Sequence, residues 1–145
     1  MDRKTDGVLV AARIGIGLIF LASGLGKVAG WSGAVAHAAT RGVPAFLLAA
    51  ATALEIFGAI SLLAGWKTRW GAAALLTFLV PVTLVFHGFW AAQGPDVQLQ
   101  MIQFLKNVAI GGGLLAIIAA GPGAFSVDAR SERHEGRGPE VGVAA

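Results

Sequence analysis

Residues 8–30 read VLVAARIGIGLIFLASGLGKVAG. As an α-helix rising 1.5 Å per residue, this stretch spans roughly 35 Å, enough to cross a hydrocarbon core of about 30 Å. Two charges interrupt it, Arg13 and Lys27. Arg13, Gly17, Phe20, Gly24 and Lys27 recur at steps of four, three, four and three residues, which places them on one helical stripe bordered by Ser23. Gly17 and Gly24 allow a second helix to approach closely between the two charges. The stripe therefore faces a protein interior, and the rest of the helix faces lipid.

The remainder of the chain repeats this pattern. Further apolar spans run over about 44–65, 70–92 and 99–120. Of the 145 residues, 56% are hydrophobic and 13% charged, with a mean hydropathy of +0.73; soluble domains carry about 25% charged residues. Trp31, Trp66, Trp70 and Trp90 all fall at span ends, the headgroup level that indole rings favour. Short connections, 31–43, 66–69 and 93–98, force neighbouring spans to be antiparallel. The expected fold is all-α: an integral membrane, up-down-up-down four-helix bundle over residues 8–128.

Charge distribution sets the expected orientation. Arg3, Lys4, Lys67, Arg69, Arg130, Arg133 and Arg137 fall on one side, against Arg41 in the loops of the other. The positive-inside rule puts residues 1–7 and the C-terminus in the cytoplasm of a multi-pass protein of the bacterial plasma membrane. A cleavable signal peptide is the competing reading of the N-terminus, with Ala34-Val35-Ala36 as its cleavage site. Arg13, Lys27 and the length of the apolar stretch oppose it. Residues 129–145 are polar with alternating charge, and read as a disordered cytoplasmic tail. No repeat relates the two halves.

Several chemistries are excluded. With no cysteine, the chain has no disulfide, iron–sulfur cluster or thiol redox motif. The net charge of +3 follows topology and forms no basic face for nucleic acid. His87 is the one histidine within a span; His37 lies in a loop and His134 in the tail. No His/Glu cluster has metal spacing, so neither a metal nor a haem site is expected.

Five ionisable residues remain inside apolar spans: Arg13, Lys27, Glu55, His87 and Lys106. A charge at mid-span costs roughly 2.5–3.5 kcal/mol on insertion scales, so such residues are paired or face a cavity. Glu55 lies near mid-depth, on a face with Ala51, Gly58 and Leu62. His87 shares a face with Thr83 and Trp90, beyond a Pro81 that is expected to kink its helix. Gln100, Gln103 and Asn107 line one side of the fourth span, with Lys106 beside them and Gly111, Gly112 and Gly113 following. Counting depth along the helices, Lys106 lies about 6 Å from Glu55 and Arg13 about 9 Å. Lys106 is the expected partner of Glu55. Lys27, His87 and Lys106 form a cluster in the outer half, with Glu55 beneath and Arg13 apart.

Lys, His and Glu around an apolar cavity suit the carbonyls and protons of a quinone. The same residues suit a proton relay for transport.

Several motifs together resemble the DoxX family. These are Arg13-Ile-Gly-Ile-Gly with Ser23-Gly-Leu-Gly-Lys27, and Leu54-Glu55-Ile-Phe-Gly58 followed by Leu63-Ala-Gly65. Thr83 to His87, Gln103-Phe-Leu-Lys106-Asn107 before Gly111–Gly113, and the Gly121-Pro-Gly-Ala-Phe-Ser-Val-Asp128 ending complete the pattern. The resemblance implies a four-helix membrane protein. Related DoxD proteins are linked to thiosulfate:quinone oxidoreductase activity, and DoxX-like proteins of mycobacteria to a membrane complex for oxidative-stress defence.

The expectation is a membrane oxidoreductase subunit engaging quinone or a redox protein partner, with no covalently bound cofactor. Glu55 and His87 would handle protons; Lys27, Lys106 and Asn107 would orient the polar head. A small proton-coupled transporter or channel is one alternative, and a non-catalytic assembly subunit another. The glycine-rich faces suit internal packing or a homo-oligomer equally.

Overall fold

The computed structural model describes residues 3–135. Within them the chain forms α1 (Arg3–Ala29), α2 (Trp31–Ala39), α3 (Ala45–Ala64), α4 (Thr68–Phe86), a 3-10 turn (Phe89–Ala91), α5 (Asp96–Ala120) and α6 (Val127–Glu135). Four helices are long and apolar enough to cross a membrane: α1, α3, α4 continued through the 3-10 turn, and α5. Their short connections make α1 and α4 run one way and α3 and α5 the other. One end of the bundle carries Arg3, Lys4, Lys67, Arg69, Arg130 and Arg133 and is called the basic end below.

The interior is narrow. Phe20, Ala59, Leu62, Ala72, Leu75, Leu79, Leu114 and Ile117 form one buried cluster. Glycines set the spacing around it. A Cβ on Gly17 would meet Leu63 Cγ at 2.8 Å, one on Gly58 Leu75 Cγ at 2.6 Å, and one on Gly113 Ile16 Cδ1 at 2.7 Å. Those contacts bring α1 onto α3, α3 onto α4, and α1 onto α5. Trp31, Trp66, Trp70 and Trp90 are all exposed at helix ends, as interfacial anchoring requires.

The element boundaries differ from the sequence reading in three places. The first connection contains α2, a nine-residue alanine-rich helix. The third span leaves the α-helix at Phe86 rather than at 92, so His87 caps α4 instead of lying within it. Pro81 sits inside α4, within the span the sequence assigns to it. Finally, α6 continues to Glu135, where a disordered tail from residue 129 was expected; the tail's residues 136–145 lie outside the described residues. The reason for α6 is local. Ser126 Oγ accepts from Ala129 N at 3.1 Å while donating to Gly123 O at 2.7 Å, a side-chain cap on the helix start.

Residues 121–128 strap the basic end together. Asp6 Oδ1 accepts from Ala124 N at 2.9 Å. Arg13 Nη2 donates to Phe125 O at 2.7 Å. Asp128 accepts from Lys67 N (2.7 Å), Thr68 N (3.0 Å) and Thr68 Oγ1 (3.0 Å), so a residue some sixty positions away caps α4. Asp128 N donates in turn to Gly65 O at 2.9 Å. Gly65 closes α3 at φ +69°, with Trp66 N returning to Ser61 O at 3.1 Å, the left-handed C-terminal turn that glycine favours.

Gly65→Ala is expected to destabilise the protein by at least about 2 kcal/mol, because the left-handed backbone disfavours a Cβ and that Cβ would collide with Arg13 Nη1. Gly112→Ala, in open space on α5, should be neutral within about 0.5 kcal/mol or slightly stabilising. Equilibrium unfolding in mixed micelles measures both.

Candidate functional site

Glu55 lies midway along α3 with its side chain 3% exposed, and Lys27 Nζ donates to its Oε2 at 2.6 Å. The same ammonium donates to Ser23 Oγ, one turn back on α1, at 2.8 Å. The partner of Glu55 is thus Lys27 and not Lys106, which had been expected from depth. Side-chain direction explains the difference. Cα–Cβ bonds tilt toward a helix's own N-terminus. On α1 that tilt carries Lys27 inward toward mid-depth; on the antiparallel α3 it carries Glu55 back toward Lys27. On α5, which runs parallel to α3, it carries Lys106 away from Glu55 toward the surface, and Lys106 is exposed. Close packing completes the pair: a Cβ on Gly24 would meet Ile56 Cγ1 at 2.6 Å, with Glu55 Oε2 at 3.7 Å.

Two cavities meet at this pair. The larger, of about 760 Å³, is walled mainly by apolar residues of α1, α2, α3 and α4, including Leu47, Leu48, Ala51, Val82 and Phe86. The smaller, about 150 Å³, lies between α1, α4 and α5 and holds the polar groups Glu55, Lys106 and Asn107. Ser23, Lys27, Phe78, Val82 and His87 line both. Volumes of a few hundred Å³ with apolar walls and few convergent polar groups are usual for small-molecule sites.

All five residues proposed from sequence, Lys27, Glu55, His87, Lys106 and Asn107, line the smaller cavity. Their environments differ. His87 Nδ1 lies 2.9 Å from Gln100 Oε1; with Nδ1 donating to that amide oxygen, Nε2 is the ring nitrogen left for another partner. Asn107 is buried and donates to Thr83 Oγ1 at 3.0 Å, while Thr83 donates to Leu79 O at 2.7 Å. Arg13, set apart in sequence, is also apart in space. Its guanidinium is buried among the strap, with Nε and Nη1 making no hydrogen bond among the described residues.

Three contributors were not identified from sequence. His37, on α2, lines the larger cavity and packs against Phe86 with ring centroids 5.6 Å apart. Gln100 was placed on the polar side of its span, but its pairing with His87 depends on the chain leaving the α-helix after Phe86. The wall formed by α2 had no signal beyond alanine content. Among the described residues no three His, Cys, Asp or Glu side chains come together as metal ligands.

Lys27→Met should destabilise the protein by roughly 3–5 kcal/mol, since it strands a buried carboxylate. Lys27→Met combined with Glu55→Leu should cost substantially less, because both charges leave together. Lys106→Met should change stability by under about 1 kcal/mol. A double-mutant cycle in detergent reads the coupling, and equal costs for Lys27→Met and Lys106→Met would contradict the pairing.

Comparison with known proteins places this architecture. The family model described as DoxX matches residues 8–88. The chain is 37% identical over 125 residues to the inner membrane protein YphA of Escherichia coli K12, covering 85% of this chain and 89% of that one. It is 36% identical over 128 residues to the inner membrane protein YqjF of the same organism, covering 88% and 95%. A weaker similarity, 28% over 81 residues, reaches the Surfeit locus protein 4 homolog of Schizosaccharomyces pombe and covers 54% of this chain and 27% of that protein. No solved structure matches. With four membrane-spanning helices and near full-length similarity to two inner membrane proteins, the chain belongs to the DoxX family of inner-membrane proteins.

Proposed function

We propose that the joined cavities bind a quinone-like molecule, and that the protein serves a membrane oxidoreductase system through this site. The observation that carries the reading is the position of Lys27. Its ammonium is held by Glu55 and Ser23, and its side chain, 28% exposed, lines both an apolar chamber and a polar one. That arrangement suits a molecule with a carbonyl head and an apolar body.

Each residue then has a role that its geometry supports. Lys27 donates a hydrogen bond to one head oxygen. His87, with Nδ1 engaged by Gln100, offers Nε2 to a hydroxyl of the reduced form. Glu55 accepts a proton through Lys27 when the head is oxidised. Asn107 and Lys106 face the small chamber and orient the head. Phe78, Val82 and Phe86 supply the apolar wall. A bound quinone would supply two-electron chemistry, with electrons exchanged with the cofactor of a redox partner.

Packing between Glu55 and the basic end argues against a channel. Ala59, Leu62, Leu75, Leu114 and Ile117 fill that depth with at most 1% exposure. The open chambers lie on the other side of Glu55, away from the strap.

Binding of a short-chain ubiquinone analogue to protein in nanodiscs tests the reading. The wild type should bind, and Lys27→Met or His87→Leu should each weaken binding roughly tenfold, the worth of one charge-assisted or buried hydrogen bond. Val82→Trp should abolish it by filling the chamber. Unchanged affinity in all of these, with folding verified by circular dichroism, would end the proposal.

A further inference from the structure

A further cavity of about 340 Å³ lies at the basic end, remote from Lys27 and Glu55. Arg130 and Arg133 line it from α6, and Phe125, Ser126 and Val127 line it from the strap. The two arginines are three residues apart, so they share one helical face. Arg133 Nη2 donates to Ala124 O at 3.3 Å, which keeps its guanidinium near the cavity wall. Glu132 lies between them in sequence and does not line the cavity. We propose that this cavity binds the headgroup of an anionic phospholipid.

Three observations favour a lipid over a soluble anion. The first is depth. The cavity abuts Ala64, the last residue of α3, and exposed Trp66 and Trp70 lie at the same end of the bundle. Tryptophans mark the headgroup level of the bilayer. The second is the character of the walls. Phe125 is 56% exposed and Val127 40% exposed beside the two guanidinium groups. Apolar surface next to arginines fits a phosphate joined to glycerol and acyl chains; a free phosphate would leave it uncovered. The third is local charge. Arg13 reaches the back of the wall through Phe125 O, adding a buried cation. The nearby Asp128 carboxylate is already committed to Lys67 N, Thr68 N and Thr68 Oγ1, and Asp6 accepts from Ala124 N. The acids are thus occupied in holding the strap, leaving Arg130 and Arg133 to meet the ligand. Arginine pairs with phosphate through two parallel hydrogen bonds, and basic pockets at the ends of membrane helices are suited to anionic headgroups.

The test uses native mass spectrometry of the full chain in mild detergent with equimolar phosphatidylglycerol and phosphatidylcholine. The wild type should retain phosphatidylglycerol preferentially. Arg130→Gln with Arg133→Gln should reduce that preference about tenfold or more, at about 1 kcal/mol per basic residue near the surface. Arg130→Lys with Arg133→Lys should keep part of it. Arg3→Gln with Lys4→Gln, an equal charge change at the same end away from the cavity, should leave it intact. Equal retention of the two lipids by the wild type would overturn the proposal, as would equal losses in the Arg130/Arg133 and Arg3/Lys4 variants. Displacement of phosphatidylglycerol by millimolar inorganic phosphate would also overturn it, by showing a simple anion site. Unfolding midpoints within error of wild type establish that a loss of preference reflects binding.

Discussion

A carboxylate buried midway along a membrane helix must find a cation, and the rest of the site follows from how Glu55 finds Lys27. Hydrocarbon does not solvate a charge, so an unpaired one at that depth would cost several kcal/mol. The 2.6 Å contact requires α1 and α3 to be antiparallel and close. Gly24 supplies the closeness, since any side chain there would strike Ile56. Antiparallel direction supplies the convergence, because the two side chains tilt toward each other. With α1 and α3 joined in this way, Lys27 is drawn inward, and its side chain lines both chambers.

The two ends of the bundle are built on different physics. At the basic end, Asp6, Arg13 and Asp128 use their side chains to satisfy backbone groups of the strap and of the α3–α4 turn. These are hydrogen bonds that the helix ends would otherwise lose in an environment poor in water. The result is a closed, tied end above a dense apolar core. At the opposite end α4 stops early, a 3-10 turn follows, and α2 supplies one wall of the larger chamber. That irregularity leaves volume between helices, with His37 and His87 on its walls. The chambers around Lys27 thus lie in one half of the bundle and the strap in the other.

Membership of the DoxX family establishes the four-helix membrane fold and the inner-membrane setting. The redox reading rests instead on residues of this chain. Lys27, Glu55, His87, Lys106 and Asn107 all border one chamber, although they come from four separate elements or their ends. Packing alone would not require that convergence. Arg13, by contrast, has a structural account: it bonds the strap and takes no part in the chamber.

The sequence by itself determined the number of spans, their antiparallel order and the inward-facing stripe of α1. Each depends on local properties: the length of apolar runs, the 3.6-residue period and the shortness of the connections. It also singled out Lys27, Glu55, His87, Lys106 and Asn107, which line one chamber, though not His37 or the pairing of Gln100 with His87. Tertiary structure decided which of them pair. Depth counted along straight helices favoured Lys106 for Glu55, but depth omits the tilt of side chains toward each helix's N-terminus. That tilt reverses sign between α1 and α5, and it selects Lys27. The cap on α6, the end of α4 before His87 and the strap over Arg13 were equally hidden. Their stability comes from contacts between residues such as Asp128 and Thr68, which are neighbours in the fold and far apart in the chain.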